Sequence, residues 1–127
     1  MFYHEYIKRM WSNVHFMLSP VPSESPRILQ SVIVNSSTVR VTWLPPPLEY
    51  QNGIITAYVV NVSLEGSHTE YQLSITSSLN LTLGRLHPFS TYIVVVAAET
   101  DIGRGPFSSP FKIHTPEDGK SLVLLVS

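Results

Sequence analysis

The chain has 127 residues, 13% of them charged, a formal net charge of −1 and no cysteine. That length suits one domain, and a domain of about 90–100 residues buries enough of its unfolded surface to fold without covalent staples. The absent thiols exclude a disulfide framework, a zinc–thiolate site and a cysteine nucleophile, and the near-neutral charge carries no nucleic-acid footprint.

The amino end, Met1 to Leu18, carries aromatics at Phe2, Tyr3, Tyr6, Trp11 and Phe16 without strand alternation. Charged and polar residues from Glu5 to His15 interrupt it, so it lacks the pattern of a secretory signal. Residues 1–25 are expected to be a disordered extension and linker, with a short amphipathic helix through Phe2, Tyr6 and Met10 as the alternative. The run Ser19 to Pro26, rich in Ser and Pro, reads as linker.

From Arg27 to Val34 a first strand is predicted, followed by an Asn35-Ser36-Ser37 turn. Val39, Val41 and Trp43 then alternate with Thr38, Arg40 and Thr42, the pattern of a half-buried strand. Pro45-Pro46-Pro47 ends it, because proline donates no ladder hydrogen bond. Asn52-Gly53 marks a turn into a strand where Tyr58, Val60 and Val62 share one phase. Thr69 to Ser74 is a weaker edge strand, and Leu79, Leu81 and Leu83 alternate in a fifth.

Leu86-His87-Pro88 leads through Tyr92 into an apolar, β-branched block, Ile93 to Val96. A tyrosine entering such a strand reads as a tyrosine corner, its ring in the core and its hydroxyl bonded to backbone a few residues upstream. Asp101 to Pro106 is expected as a hairpin loop with two glycines for unusual backbone angles, and Phe111 and Ile113 mark the seventh strand. Short strands with turns at regular intervals predict an all-β, seven-stranded antiparallel sandwich over residues 26–116, with a tail from 117 to 127. That tail is apolar from Leu122 to Val126, far short of the about 20 residues a spanning helix requires.

Five linked elements resemble the fibronectin type III family: Trp43 before Pro45-Pro46, Asn52-Gly53 before Tyr58, Leu86-x-Pro88 before Tyr92, Gly103-x-Gly105-Pro106 before Ser108, and the Thr115-Pro116 exit. The pattern is similar to repeats of receptor ectodomains, those of receptor-type tyrosine phosphatases among them. The resemblance implies an immunoglobulin-like sandwich with sheets A-B-E and C′-C-F-G and a structural core that includes Trp43, Tyr58, Leu86 and Tyr92. It implies a non-catalytic spacer and protein-interaction module of a larger extracellular or cell-surface protein. The rival is an intracellular module of a cytoskeletal or muscle protein. The expected partner is another protein or an adjacent repeat, with the isolated domain monomeric, no cofactor and no direct membrane insertion.

Catalytic signals are sparse. The five histidines have no metal-site spacing, Asp101 and Glu117-Asp118 fall in a loop and a linker, and no nucleophile elbow or dinucleotide fingerprint occurs. Gly103-Arg104-Gly105 is followed by proline, which does not support integrin binding through an Arg-Gly-Asp loop. Three N-glycosylation sequons stand out, at Asn35, Asn61 and Asn80, with Asn61 and Asn80 on the outward phase of their strands. Val59, Ile93, Val95 and Ala97 also take the outward phase, where a solvated face would carry more Thr, Lys or Glu; they are candidates for a contact face, in competition with a sugar at Asn61, the alternative being ordinary surface of β-branched strands.

Overall fold

The structure, a computed structural model, describes residues 21–67 and 69–118. Most of the amino-terminal extension, expected to be disordered or in the alternative a short helix, and the apolar stretch from Leu122 to Val126 lie outside the described residues. Two antiparallel sheets face each other. One comprises β1 (Arg27–Asn35), β2 (Thr38–Leu44) and β5 (Asn80–Leu83), in the order β1-β2-β5. The other comprises β3 (Ala57–Leu64), β4 (Glu70–Thr76), β6 (Thr91–Glu99), β7 (Arg104–Phe107) and β8 (Phe111–His114), in the order β4-β3-β6, with β7 and β8 both on the far side of β6. These are the two sheets that the family resemblance implies.

The core follows from period-two alternation. Val39, Val41 and Trp43 of β2 meet Tyr58, Val60 and Val62 of β3 and Val94, Val96 and Ala98 of β6, all buried. Trp43 and Tyr58 pack edge to face with ring centroids 5.7 Å apart. Trp43 Nε1 is buried with no hydrogen-bond partner. An orphaned donor costs about 1–3 kcal/mol, so the indole is retained for its volume and apolar area.

Three expectations change. The last strand begins at Arg104, so the hairpin connection is shorter than expected and closes through Thr100 N–H to the Gly103 carbonyl at 3.0 Å. That strand is broken at Ser108–Pro110, because proline donates no ladder bond. Ser108 bridges the break: its N–H reaches the Val96 carbonyl at 2.8 Å, and its hydroxyl accepts the Val96 N–H at 3.0 Å. Leu79 lies outside β5 and is exposed, while Leu83 alone of the three leucines is fully buried.

Glu70, Tyr71 and Gln72 also break simple alternation. The ladder pairs Val62 with Gln72 but Ser63 with Glu70, so Tyr71 is an extra residue in a bulge. The bulge turns its ring onto Tyr92, with centroids 5.1 Å apart, and its hydroxyl donates to the Arg85 carbonyl at 2.8 Å.

Because Trp43 fills the contact between the sheets, Trp43→Ala is expected to lower unfolding free energy by about 3–5 kcal/mol. That is a large part of the about 5–15 kcal/mol typical of a domain. Urea unfolding followed by circular dichroism measures the loss, and a midpoint close to the parent's would remove Trp43 from the core.

Candidate functional site

The chain enters at one pole of the sandwich and leaves at the other, and each passage is fastened. At the entry pole Pro22, expected as linker, is fully buried. The Val21 carbonyl accepts from Asn52 Nδ2 at 3.0 Å, and Ser23 N–H donates to the Tyr50 carbonyl at 2.9 Å. Asn52 has φ 57°, within the left-handed region that asparagine tolerates, and this bends the turn toward the entering chain. Gly105 is required here for a different reason from the one expected. Neither Gly103 nor Gly105 has the positive φ expected of them, but a Cβ on Gly105 would lie 2.5 Å from the Pro22 carbonyl oxygen.

At the exit pole the tyrosine corner is tied to the departing strand. The Tyr92 hydroxyl accepts the His87 N–H at 2.7 Å, so its backbone partner is a donor. Thr115, fully buried, donates its hydroxyl to the His87 carbonyl at 2.7 Å and accepts the Ser90 N–H at 2.9 Å. Phe89 N–H reaches the Pro116 carbonyl at 2.9 Å. Ser36 Oγ, in the β1–β2 turn, donates to Asp118 at 3.2 Å. Leu86 is buried beside this knot. The parts that Thr115, expected only at the exit, and Tyr71, expected only in an edge strand, play in this knot escape sequence reasoning, since neither carries a periodic signal.

Burial pushes the Tyr58 phenol up from its ordinary value. It also pushes Tyr92 up, with the His87 N–H opposing and Tyr71 adding to the rise.

The outer face of the β4-β3-β6-β7 sheet carries one apolar surface, and β1 and β2 of the other sheet carry exposed Leu29, Val32, Val34 and Leu44. Register aligns Ile75, Val59, Ala97 and Phe107 in one row across four strands, and Leu73, Asn61 and Val95 in the next. Val59 and Ala97 are only 7% and 0% exposed, so these two expected contact residues are not available to a partner. Larger flanking side chains explain this: Ile75 stands beside Val59, and Phe107 beside Ala97 under the Arg104 guanidinium, 4.4 Å from the ring centroid. The accessible apolar surface passes instead to Ile75 and Leu73, 65% and 54% exposed, with Val95 and Ile93 half-buried. A groove along that face is lined by Asn61, Ser63, Ser67, Glu70, Ile93 and Val95.

The sequons divide between the sheets. Asn35 is exposed at the end of β1, its Oδ1 accepting the Ser37 N–H at 2.9 Å and the Ser37 hydroxyl at 3.1 Å. Asn80 is exposed on β5, opposite Thr42. Asn61 is half-buried on the central strand β3, between Leu73 and Val95. Among the described residues no group of three or more His, Cys, Asp or Glu is arranged to hold a metal, and no helix is long and apolar enough to cross a membrane.

Two sheets in this order, a tyrosine corner and fastened poles define a module of the immunoglobulin-like sandwich class. A profile of the Fibronectin type III domain matches residues 24–114, and the chain belongs to that family. It is 39% identical over 102 residues to the human receptor-type tyrosine-protein phosphatase F, covering 76% of this chain and 5% of the phosphatase. It is 36% identical over 101 residues to the mouse netrin receptor DCC, covering 80% of this chain and 7% of that receptor. Among solved structures, the FN5 domain of Drosophila Lar matches with TM-score 0.58 at 25% identity, covering 76% of this chain and 98% of that domain. Titin domains A168–A170 match with TM-score 0.67 at 24% identity, over 76% of this chain and 33% of theirs, a likeness of fold alone. The chain thus spans a small fraction of the receptors it matches, and the type of module it represents is non-catalytic.

Two predictions follow from the poles. Both phenols have folded pKa values above the ordinary 10.0, so above that pH the unfolded chain binds fewer protons than the folded one. Stability is therefore fully present below about pH 10 and falls as pH rises through the folded values. Tyr92→Phe is expected to lose about 1 kcal/mol or more at neutral pH, by orphaning the His87 N–H, and to flatten the alkaline fall. Urea midpoints measured against pH check both effects. At the other pole, Gly105→Ala is expected to lose about 1–3 kcal/mol by displacing Pro22. In a chain starting at Ser23 the same substitution should be nearly neutral, and a full penalty there would show that Pro22 is not what Gly105 accommodates.

Proposed function

We propose that this chain supplies one rigid spacer and protein-interaction module of a larger cell-surface receptor. The observation that carries the reading is the placement of entry and exit at opposite poles, each held by hydrogen bonds to the sandwich. A module fastened in this way transmits its orientation to whatever precedes and follows it. β6, nine residues long, gives the body a length of about 30 Å at about 3.3 Å per residue. The receptor names of the relatives support an extracellular or cell-surface setting, and any enzymatic activity of the parent protein would reside in other domains. The titin likeness, being one of fold, carries no weight for an intracellular setting.

The interaction surface in this reading is the outer face of the β4-β3-β6-β7 sheet. Leu73, Ile75, Val95 and Ile93 supply its apolar area, with a polar margin at Ser63 and Glu70. An adjacent repeat joined at a pole does not lie over this flank, so the face suits a partner from another chain.

A two-copy chain joined from Asp118 to Val21 tests both statements by small-angle X-ray scattering. An extended particle, unchanged by Val95→Lys, is expected. A compact particle that Val95→Lys opens would show that the face binds the adjacent repeat and that the module is not a straight spacer.

A further inference from the structure

We propose that Asn80 and Asn35 carry N-linked glycans and that Asn61 does not, so that sugar covers the three-stranded sheet and leaves the opposite face bare. This proposal rests on the cell-surface reading above.

Both sheets carry exposed apolar side chains on their strands, Leu29, Val32, Val34 and Leu44 on one and Leu73 and Ile75 on the other, but the immediate surroundings of their sequons differ. On the three-stranded side, register aligns Gln30, Thr42 and Asn80 in one row, and Val32, Arg40 and Thr82 in the next. Hydroxyl and amide groups in such rows provide hydrogen-bond partners for the first sugar rings. Asn80 is exposed, and its amide makes no hydrogen bond among the described residues. It also lies on β5, at the free edge of its sheet. A bulky hydrophilic group on an edge strand hinders pairing with a second chain's strand. Asn35 is exposed in the β1–β2 turn, and its hydrogen bonds from Ser37 use only Oδ1. N-linkage consumes an Nδ2 hydrogen and leaves Oδ1 as acceptor, so the turn survives modification.

Asn61 is the contrary case. Its strand is paired on both sides, its neighbours across the ladders are Leu73 and Val95, and it lines the groove with Ile93. A glycan there would stand on the apolar rows and occupy the surface assigned to a protein partner.

The modification is a group transfer from a lipid diphosphate-linked oligosaccharide. The asparagine Nδ2 forms a bond to C1 of the terminal N-acetylglucosamine. The C1–O bond to the diphosphate breaks, the lipid diphosphate leaves, and one amide proton passes to a base. No oxidant or reductant is involved.

The full chain, given a secretion leader and expressed in animal cells, tests the proposal. Total and secreted protein are treated with peptide N-glycosidase in heavy-oxygen water, which converts each glycosylated asparagine to labelled aspartate for peptide mass spectrometry. Label at Asn80 and Asn35 and none at Asn61 is expected. Asn80→Gln and Thr82→Ala should each remove one glycan's mass, the second while keeping the asparagine. An unlabelled Asn80 or Asn35, or label at Asn61, overturns the proposal. Because the leader is supplied, either result leaves the spacer reading to its own scattering test.

Discussion

The hydrogen bond from the His87 N–H to the Tyr92 hydroxyl is the constraint on which the exit pole depends. Tyr92 is fully buried and begins the strand that pairs with β3, β7 and β8. A buried phenol has to be satisfied, and here a crossover loop satisfies it. That fixes the loop, which in turn presents the His87 carbonyl and the Ser90 N–H to Thr115. One phenol therefore positions both the turn before β6 and the end of β8. The Tyr71 ring closes the other side, brought there by the bulge in β4. In chemical terms this is a small, partly buried polar network at the end of the core, where an unmade bond is more costly than a made one is favourable.

Most of the architecture was legible because its signals are local. Period two at Val39, Val41 and Trp43, the turn residues at Asn52-Gly53, and the Leu86-x-Pro88 approach to Tyr92 each depend on residues near one another in the chain. What escaped depends on residues distant in sequence. Gly105 was read for its backbone freedom, whereas its role is to let the Pro22 backbone approach closely from across the pole. Val59 and Ala97 had the right phase for an outer face, but phase does not report the size of the neighbours on adjacent strands. Ile75 and Phe107, set beside them by register, withdraw both from solvent. The same bulge that delivers Tyr71 to the core sends Leu73 and Ile75 outward, so the apolar face moves toward the edge strand. Periodicity counted from Tyr71 would place these three side chains on one side.

The two outer faces make different demands on solubility. Exposed apolar residues on an edge strand invite association, and β4 carries Leu73 and Ile75. Its far neighbour β8 places Lys112 in an ion pair with Glu65, Nζ to Oε2 2.7 Å, at the surface. Such a pair adds little stability, but it marks where the apolar surface ends. β1 forms the other exposed flank, with Leu29, Val32 and Val34 about half exposed. Its ladder with β2 shifts register twice, between Ile28 and Gln30 and between Ile33 and Asn35. Bulges of this kind twist an edge and make it a poor template for a second strand. The sandwich thus keeps apolar side chains on its surface while limiting continuous edges on which copies could stack.

The topology also determines how tension along the chain is borne. β1 runs from the entry pole toward the exit pole, and β7 and β8 run in the same sense in the opposite sheet. A pull on the two ends lies parallel to these terminal strands. The hydrogen bonds of β1 to β2, and of β8 to β6, lie across that direction and are loaded together. They have to break as a group, unlike a hairpin pulled open from one end, where each bond fails in turn. The register shifts in β1 divide its ladder, so β1 should part before β8, whose register from Thr91–His114 to Val94–Phe111 is uninterrupted. The fastenings at Pro22 and Thr115 keep the load aligned with the strands, because they prevent either terminal strand from being peeled sideways at its first residue. The contacts that hold the entering and departing chain at the two poles are therefore also those that decide how the sandwich resists being pulled apart.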